Sequence, residues 1–162
     1  MIGITTGLIS FAMEMCIIVL YYLHLYLTDL AYYWPLELLV WSAYLMVLFH
    51  IAYAIVKYIS PNAIGSGLPE MKSVLNGVIL EDYLSFKTLF TKVVGLVAVI
   101  GGGIVVGREG PFVHVASTVA HLSLSIPIYR YIKKSASLLL LVQTSAIAAG
   151  MASNFGAPIG GT

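Results

Sequence analysis

Gly107-Arg108-Glu109-Gly110-Pro111 is a break in a chain that is otherwise apolar to an unusual degree. It separates one apolar run, residues 93–106, from another, residues 112–126. Proline is accepted in the first turn of a helix, where amide donors lack intrahelical acceptors in any case. The pentapeptide therefore reads as a helix start. The same grammar of small residues, then proline, then an apolar run recurs at Gly65-Ser66-Gly67-Leu68-Pro69 and at Gly156-Ala157-Pro158. Ser66 is a natural N-cap for the first of these, and Ser153 or Asn154 for the other.

The surroundings of these breaks define the class of protein. Of 162 residues, 60% are hydrophobic and 9% charged, with a mean hydropathy of +0.97. Soluble domains carry about 25% charged residues, so a water-soluble enzyme and a disordered tail are both excluded. A net charge of +1 supplies no basic stripe for nucleic acid. Cys16 alone makes neither an intrachain disulfide framework nor a cysteine-based zinc site. The composition is that of an integral membrane protein. A spanning helix takes roughly 20 apolar residues, so the chain has room for about five or six helices, some too short to cross.

Residues 1–27 and 36–56 are the two clear spans, interrupted by Glu14 and by Glu37 near the start of the second. The first is no secretory signal, since no basic segment precedes it and Glu14 breaks its apolar run. Between the two spans, Tyr26, Tyr32, Tyr33 and Trp34 have the composition of an interfacial aromatic belt. Lys57, Lys72, Lys87 and Lys92 mark one basic zone, and Arg130, Lys133 and Lys134 another. The positive-inside rule places both in the cytoplasm. Residues 92–130 must then go out and return, which puts Arg108-Glu109 on the outer side or partway into the bilayer. No charge occurs from Ser135 to Thr162, and Thr162 follows Pro158-Ile159-Gly160-Gly161 with no polar tail. The chain reads as truncated at 162 within a membrane element, a fragment with no soluble domain.

Helix starts inside such a chain pose a physical problem. Their free N–H groups cannot face lipid, because each unsatisfied group costs several kcal/mol. They must be buried in protein or line a polar cavity. Convergent N-termini attract anions, since free amides and the positive dipole end point the same way. One terminus contributes only about 0.3–2 kcal/mol, so a partly dehydrated anion needs several of them and direct donors besides. Broken helices aimed at a midplane site are a common transporter device.

Three stretches now carry a family resemblance: Gly65-Ser66-Gly67-Leu68-Pro69-Glu70, Gly107-Arg108-Glu109-Gly110-Pro111-Phe112-Val113-His114 and Gly156-Ala157-Pro158-Ile159-Gly160-Gly161. In order and spacing they resemble successive signatures of the CLC chloride channels and transporters, and the resemblance covers essentially the whole chain. Pro69-Glu70-Met71-Lys72, with Gly77-Val78 and Tyr83-Leu84, is most similar to the animal plasma-membrane channel branch. The resemblance implies an all-α polytopic fold with broken, re-entrant helices, of which residues 1–162 are the N-terminal part. It implies that Ser66, Gly67, Gly107, Arg108, Gly110 and Pro111 bind chloride, the last four as the loop that positions the gating glutamate, Glu109. It further implies a voltage-gated chloride channel of the plasma membrane, with chloride as the transported ligand, no metal or organic cofactor, and a homodimer with one pore per subunit. Leu68 stands where isoleucine is usual, and Arg108 where animal members more often have lysine.

Other readings stay beside this one. A chloride/proton antiporter of the same family is an alternative, because the family's second half contributes to the ion site. So is a truncated, non-conducting subunit that modulates a full-length partner. Glu109 at a helix start also stabilises the dipole without any gating role, and Ser66 also serves as a plain cap. His24, His50, His114 and His121 lack metal-ligand spacing and read as packing or polar contacts. Gly103-x-x-x-Gly107 and Gly156-x-x-x-Gly160 read as close-packing surfaces. An intramembrane hydrolase using Ser66 and His114 lacks a G-x-S-x-G elbow, and no H-E-x-x-H or phosphate-loop motif occurs.

Overall fold

The structure is a computed structural model, and it describes residues 2–78, 80, 82–126, 129, 131 and 135–157. The described residues form six α-helices and one 3-10 turn, with no strand among them. The helices are α1 (Ile2–Asp29), α2 (Trp34–Tyr58), α3 (Leu68–Leu75), α4 (Phe86–Gly101), α5 (Glu109–Leu124) and α6 (Ala136–Phe155), with the turn at Pro61–Ala63. By length and composition three helices suffice to cross a membrane: α1, α2 and, over Ser137–Phe155, α6. The 16-residue helices α4 and α5 reach only about 24 Å each, short of a hydrocarbon core of about 30 Å.

Local chemistry explains the boundaries. Thr28 closes α1 by donating its hydroxyl to the His24 and Leu25 carbonyls. Pro35 lies in the first turn of α2, and Ser60-Pro61 ends the run beyond Tyr58. Ser85 caps α4 by accepting the Thr88 amide at 3.3 Å. The Ser60 and Thr88 hydroxyls meet at 2.9 Å in a buried contact, tying the end of α2 to the start of α4. Gly101, Gly102 and Gly103 stop α4, the last with a left-handed φ of +89°. The apolar run 93–106 is thus helical only to Gly101, and residues 104–107 are irregular.

The core is built around α5. Every residue from Gly110 to Ala120 is buried, whereas most large apolar side chains of α1 and α2 are exposed. Phe112 and Val115 pack with Met13 of α1 and with Leu89 and Val93 of α4, while Val113 packs with Met71 of α3 and Tyr83. The sixth helix approaches closely because it has glycine at the crossing. A Cβ on Gly150 would lie 2.6 Å from the Ala116 Cβ. Gly101 likewise receives Leu20 of α1. Tyr44 donates to the Leu20 carbonyl at 2.8 Å, and His24 lies against the Tyr44 ring, as packing histidines do.

Three sequence expectations are corrected. Gly103 has nothing within 4 Å of a built Cβ and Gly107 meets only Glu109, so Gly103-x-x-x-Gly107 is connection, not a helix-packing surface. Ser153 and Asn154 lie inside the last turn of α6, which Gly156 closes at φ +60°, so neither caps a following helix. Lys92, grouped with the cytoplasmic basic zone, is buried. The expected basic residues Arg130, Lys133 and Lys134, and the stretch from Pro158 onward with Gly160, lie outside the described residues.

Replacing Gly150 with Ala is expected to lower unfolding free energy by about 1–3 kcal/mol, because two rigid Cβ groups must separate. Gly95→Ala, whose nearest neighbour is Val56 Cγ2 at 3.8 Å, is expected to be neutral or stabilising, alanine being the better helix former. Denaturant titration of both variants in micelles checks the difference.

Candidate functional site

The first two broken motifs meet. Ser66 precedes α3 and Gly110 lies in the first turn of α5, and a Cβ built on Gly110 would fall 2.9 Å from the Ser66 Cβ. One turn along α5, the His114 Cβ lies 2.9 Å from the position a Gly67 Cβ would take. The entrance to α3 therefore crosses α5 over residues 110 and 114. The first intrahelical bonds run from the Met71 amide to the Gly67 carbonyl and from the Phe112 amide to the Arg108 carbonyl, both at 3.0 Å. Amides ahead of them have no acceptor within their own helices.

The cap of α3 is Gly67, at φ +81°, rather than Ser66. That left-handed turn, which glycine adopts without a Cβ penalty, starts the helix one residue later than a serine cap would. The Ser66 hydroxyl still accepts the Leu68 amide, at a long 3.4 Å. Ser66 is exposed and lines a cavity of about 820 Å³ between α2, α4 and the two loops, together with Gly65, Lys92, Gly107 and Pro111.

The loop is gripped from behind. The Lys92 ammonium donates to the Ala63 carbonyl at 3.0 Å and to the Gly65 carbonyl at 2.6 Å. Tyr83 donates its hydroxyl to the Gly67 carbonyl at 3.4 Å. The Tyr83 and His114 rings stack at 4.0 Å between centroids with 6° between planes. The His114 Nε2 lies 3.1 Å from the Tyr83 carbonyl. A carbonyl only accepts, so Nε2 carries the proton.

Glu109, the first residue of α5, is exposed, and its carboxylate folds back over Gly107, which has no side chain to obstruct it. It does not line the cavity. Arg108 does not pair with Glu109: its Nη2 lies 3.7 Å from Oε1 of Glu14 on α1. Gly110 and Pro111 are buried and fix the backbone of this turn. The structure thus brings Ser66, Gly67, Gly107, Gly110 and Pro111 around two adjoining loops and directs Arg108 elsewhere. Sequence reasoning missed Glu14, Lys92 and Tyr83. A lone acid within an apolar helix was a signal for Glu14, whereas Lys92 and Tyr83 carried none.

Comparison with known proteins is decisive at this point. The sequence model of the family described as voltage gated chloride channel matches residues 46–162. The chain belongs to the CLC chloride channel and transporter family. A Caenorhabditis elegans relative, chloride channel protein clh-3, is 41% identical over 99% of this chain and 16% of its own length. The Drosophila melanogaster chloride channel protein 2 is 39% identical over 99% of this chain and 14% of its own. The crystal structure of a eukaryotic CLC transporter superposes with a TM-score of 0.91 at 34% identity, covering 99% of this chain and 30% of that one. The chain thus spans less than one fifth of the length of these two relatives. It is an all-helical CLC membrane fold, in a family of channels and transporters rather than enzymes.

Gly67→Ala places a Cβ at a left-handed φ, at about 1–2 kcal/mol, and also against His114 and Tyr83. Gly65→Ala, at φ +77° with nothing within 4 Å, carries only the first cost. The Gly67 variant is expected to be the less stable by a further 1–3 kcal/mol or so, read by denaturant titration.

Proposed function

We propose that this chain supplies the N-terminal half-site of a CLC anion pathway, in which chloride meets Ser66, Gly67 and the amides of the α5 entrance, and Glu109 acts as the gate. The observation that carries this reading is the contact of Ser66 with Gly110, which sets two helix starts side by side. Free amides and positive dipole ends there favour an anion. The Glu109 carboxylate is the competing anion. It lies over Gly107, which lines the same cavity as Ser66. Depolarisation, external chloride or protonation would each disfavour its occupancy. Gly107, Gly110 and Pro111 shape the turn, and Arg108 is held by Glu14 on α1.

Voltage-gated conduction at the plasma membrane, in a homodimer, is the preferred form of this activity; two relatives similar over 99% of this chain are named chloride channel proteins, which supports the conduction part of the reading. Proton-coupled chloride exchange is the second reading, favoured by the solved structure of a CLC transporter at 34% identity. Residues 1–162 grafted in place of the matching segment of the Caenorhabditis elegans relative provide the test. A reversal potential that follows chloride alone supports a channel; one that shifts with a pH gradient supports exchange.

In this chimera Glu109→Ala is expected to give currents open at all voltages, with voltage dependence abolished. Unchanged gating in patch recordings removes the gate from Glu109. Ser66→Ala is expected to change the chloride-to-nitrate permeability ratio severalfold under bi-ionic conditions, while surface expression stays as in the parent.

A further inference from the structure

Tyr83 is a buried residue in the connection between α3 and α4, and three of its groups are in use. Its ring lies flat on the His114 ring, with 4.0 Å between centroids. Its carbonyl accepts the Nε2 proton of His114 at 3.1 Å. Its hydroxyl donates to the Gly67 carbonyl at 3.4 Å. The pair also fills the space beside Gly67, where a built Cβ would fall 2.9 Å from both the His114 Cβ and the Tyr83 hydroxyl. The left-handed turn at Gly67 is moulded on these two side chains.

Packing alone does not account for the histidine. His114 is 1% exposed, and its Nδ1 has no hydrogen-bond partner among the described residues. A buried polar atom left unpaired is costly, and a phenylalanine would stack on Tyr83 without one. What the imidazole adds is the Nε2 donor, which fixes the Tyr83 backbone and with it the place of the hydroxyl.

The contacts continue to the ion site. All described peptide bonds are trans, so the C=O and N–H of one unit point in opposite directions. With the Gly67 carbonyl held by Tyr83, the Leu68 amide is turned the other way, where it donates to Ser66 Oγ at 3.4 Å. Because that oxygen accepts from Leu68, the Ser66 proton points elsewhere, and among the described residues no acceptor takes it. Both 3.4 Å contacts are long, so a small shift of the Tyr83 ring decides whether they hold.

We propose that Tyr83 and His114 are positioning residues for the Ser66 hydroxyl, orienting it as a donor to the anion and so setting anion selectivity from behind the start of α3. The inference rests on the chloride reading above. It gives the residues behind the loop a part in choosing the ion, although neither touches it.

The test uses the same chimera with Tyr83→Phe, His114→Phe and His114→Gln, and with Tyr83→Phe repeated in the Ser66→Ala background. Each variant is surface-labelled, and its chloride-to-nitrate permeability ratio is measured under bi-ionic conditions. Tyr83→Phe and His114→Phe, which keep an aromatic ring, are expected to shift the ratio at least twofold in the direction of Ser66→Ala. His114→Gln, whose amide replaces Nε2 as a donor, is expected to recover at least half of the His114→Phe shift. Without the Ser66 hydroxyl, Tyr83→Phe is expected to add nothing, as for two groups acting through one contact. Parental ratios in both phenylalanine variants at the surface overturn the proposal, and so does a Tyr83→Phe shift that is as large without the Ser66 hydroxyl as with it. Failure of Tyr83→Phe to reach the surface overturns it in favour of a purely structural pair. A parental ratio in Ser66→Ala, or absence of chloride current from the parent chimera at the surface, instead overturns the chloride reading itself.

Discussion

A helix that begins within a bilayer brings amide groups that lipid cannot satisfy, and this fold is organised around that constraint. Each of α3 and α5 starts at a glycine-containing loop followed by proline, and each is short. Setting the two starts against each other, Ser66 on Gly110, removes both from hydrocarbon at once. The carbonyls on the far side of the Ser66 loop need partners of their own, and Lys92 and Tyr83 supply them. What results is a polar seam between apolar helices, open at Ser66 and Glu109.

The seam is anchored from three directions. From α4 comes Lys92; from the connection before α4 comes Tyr83, flattened on His114; from α1 comes Glu14, reaching Arg108 at 3.7 Å. The third contact couples α1 to the loop ahead of Glu109. It also explains why an arginine tolerates this setting: an intramembrane charge persists where it has a partner. With Arg108 half-buried and Glu14 exposed, this pair is a weaker tie than the enclosed Lys92 contacts.

Much of this was legible in the sequence. Composition and apolar run length gave an all-helical membrane protein, and the two proline-marked breaks at residues 65–69 and 107–111 became helix starts as expected. Gly150 of α6 packs on Ala116 of α5, because small residues permit close approach where two helices face each other. Gly103 and Gly107 have the spacing of a helix-packing pair yet pack on no helix, since the chain has already left α4 at Gly101. Spacing is informative only where the backbone stays helical. Lys92 was illegible for a different reason. Positive charge near apolar segments usually marks solvent, and only the fold reveals that carbonyls of residues 63 and 65 lie in reach, almost thirty positions earlier.

The enclosure of α5 has one more implication. With Gly110 to Ala120 locked inside the core, the backbone that follows residue 109 is held, and the part of this turn most readily displaced is a single exposed acidic side chain. Its torsions are intrinsically fast, on picosecond to nanosecond timescales. If this carboxylate is the plug, slow opening would reflect how seldom its released rotamer is occupied, and voltage would act by reweighting two rotamers rather than by moving a helix.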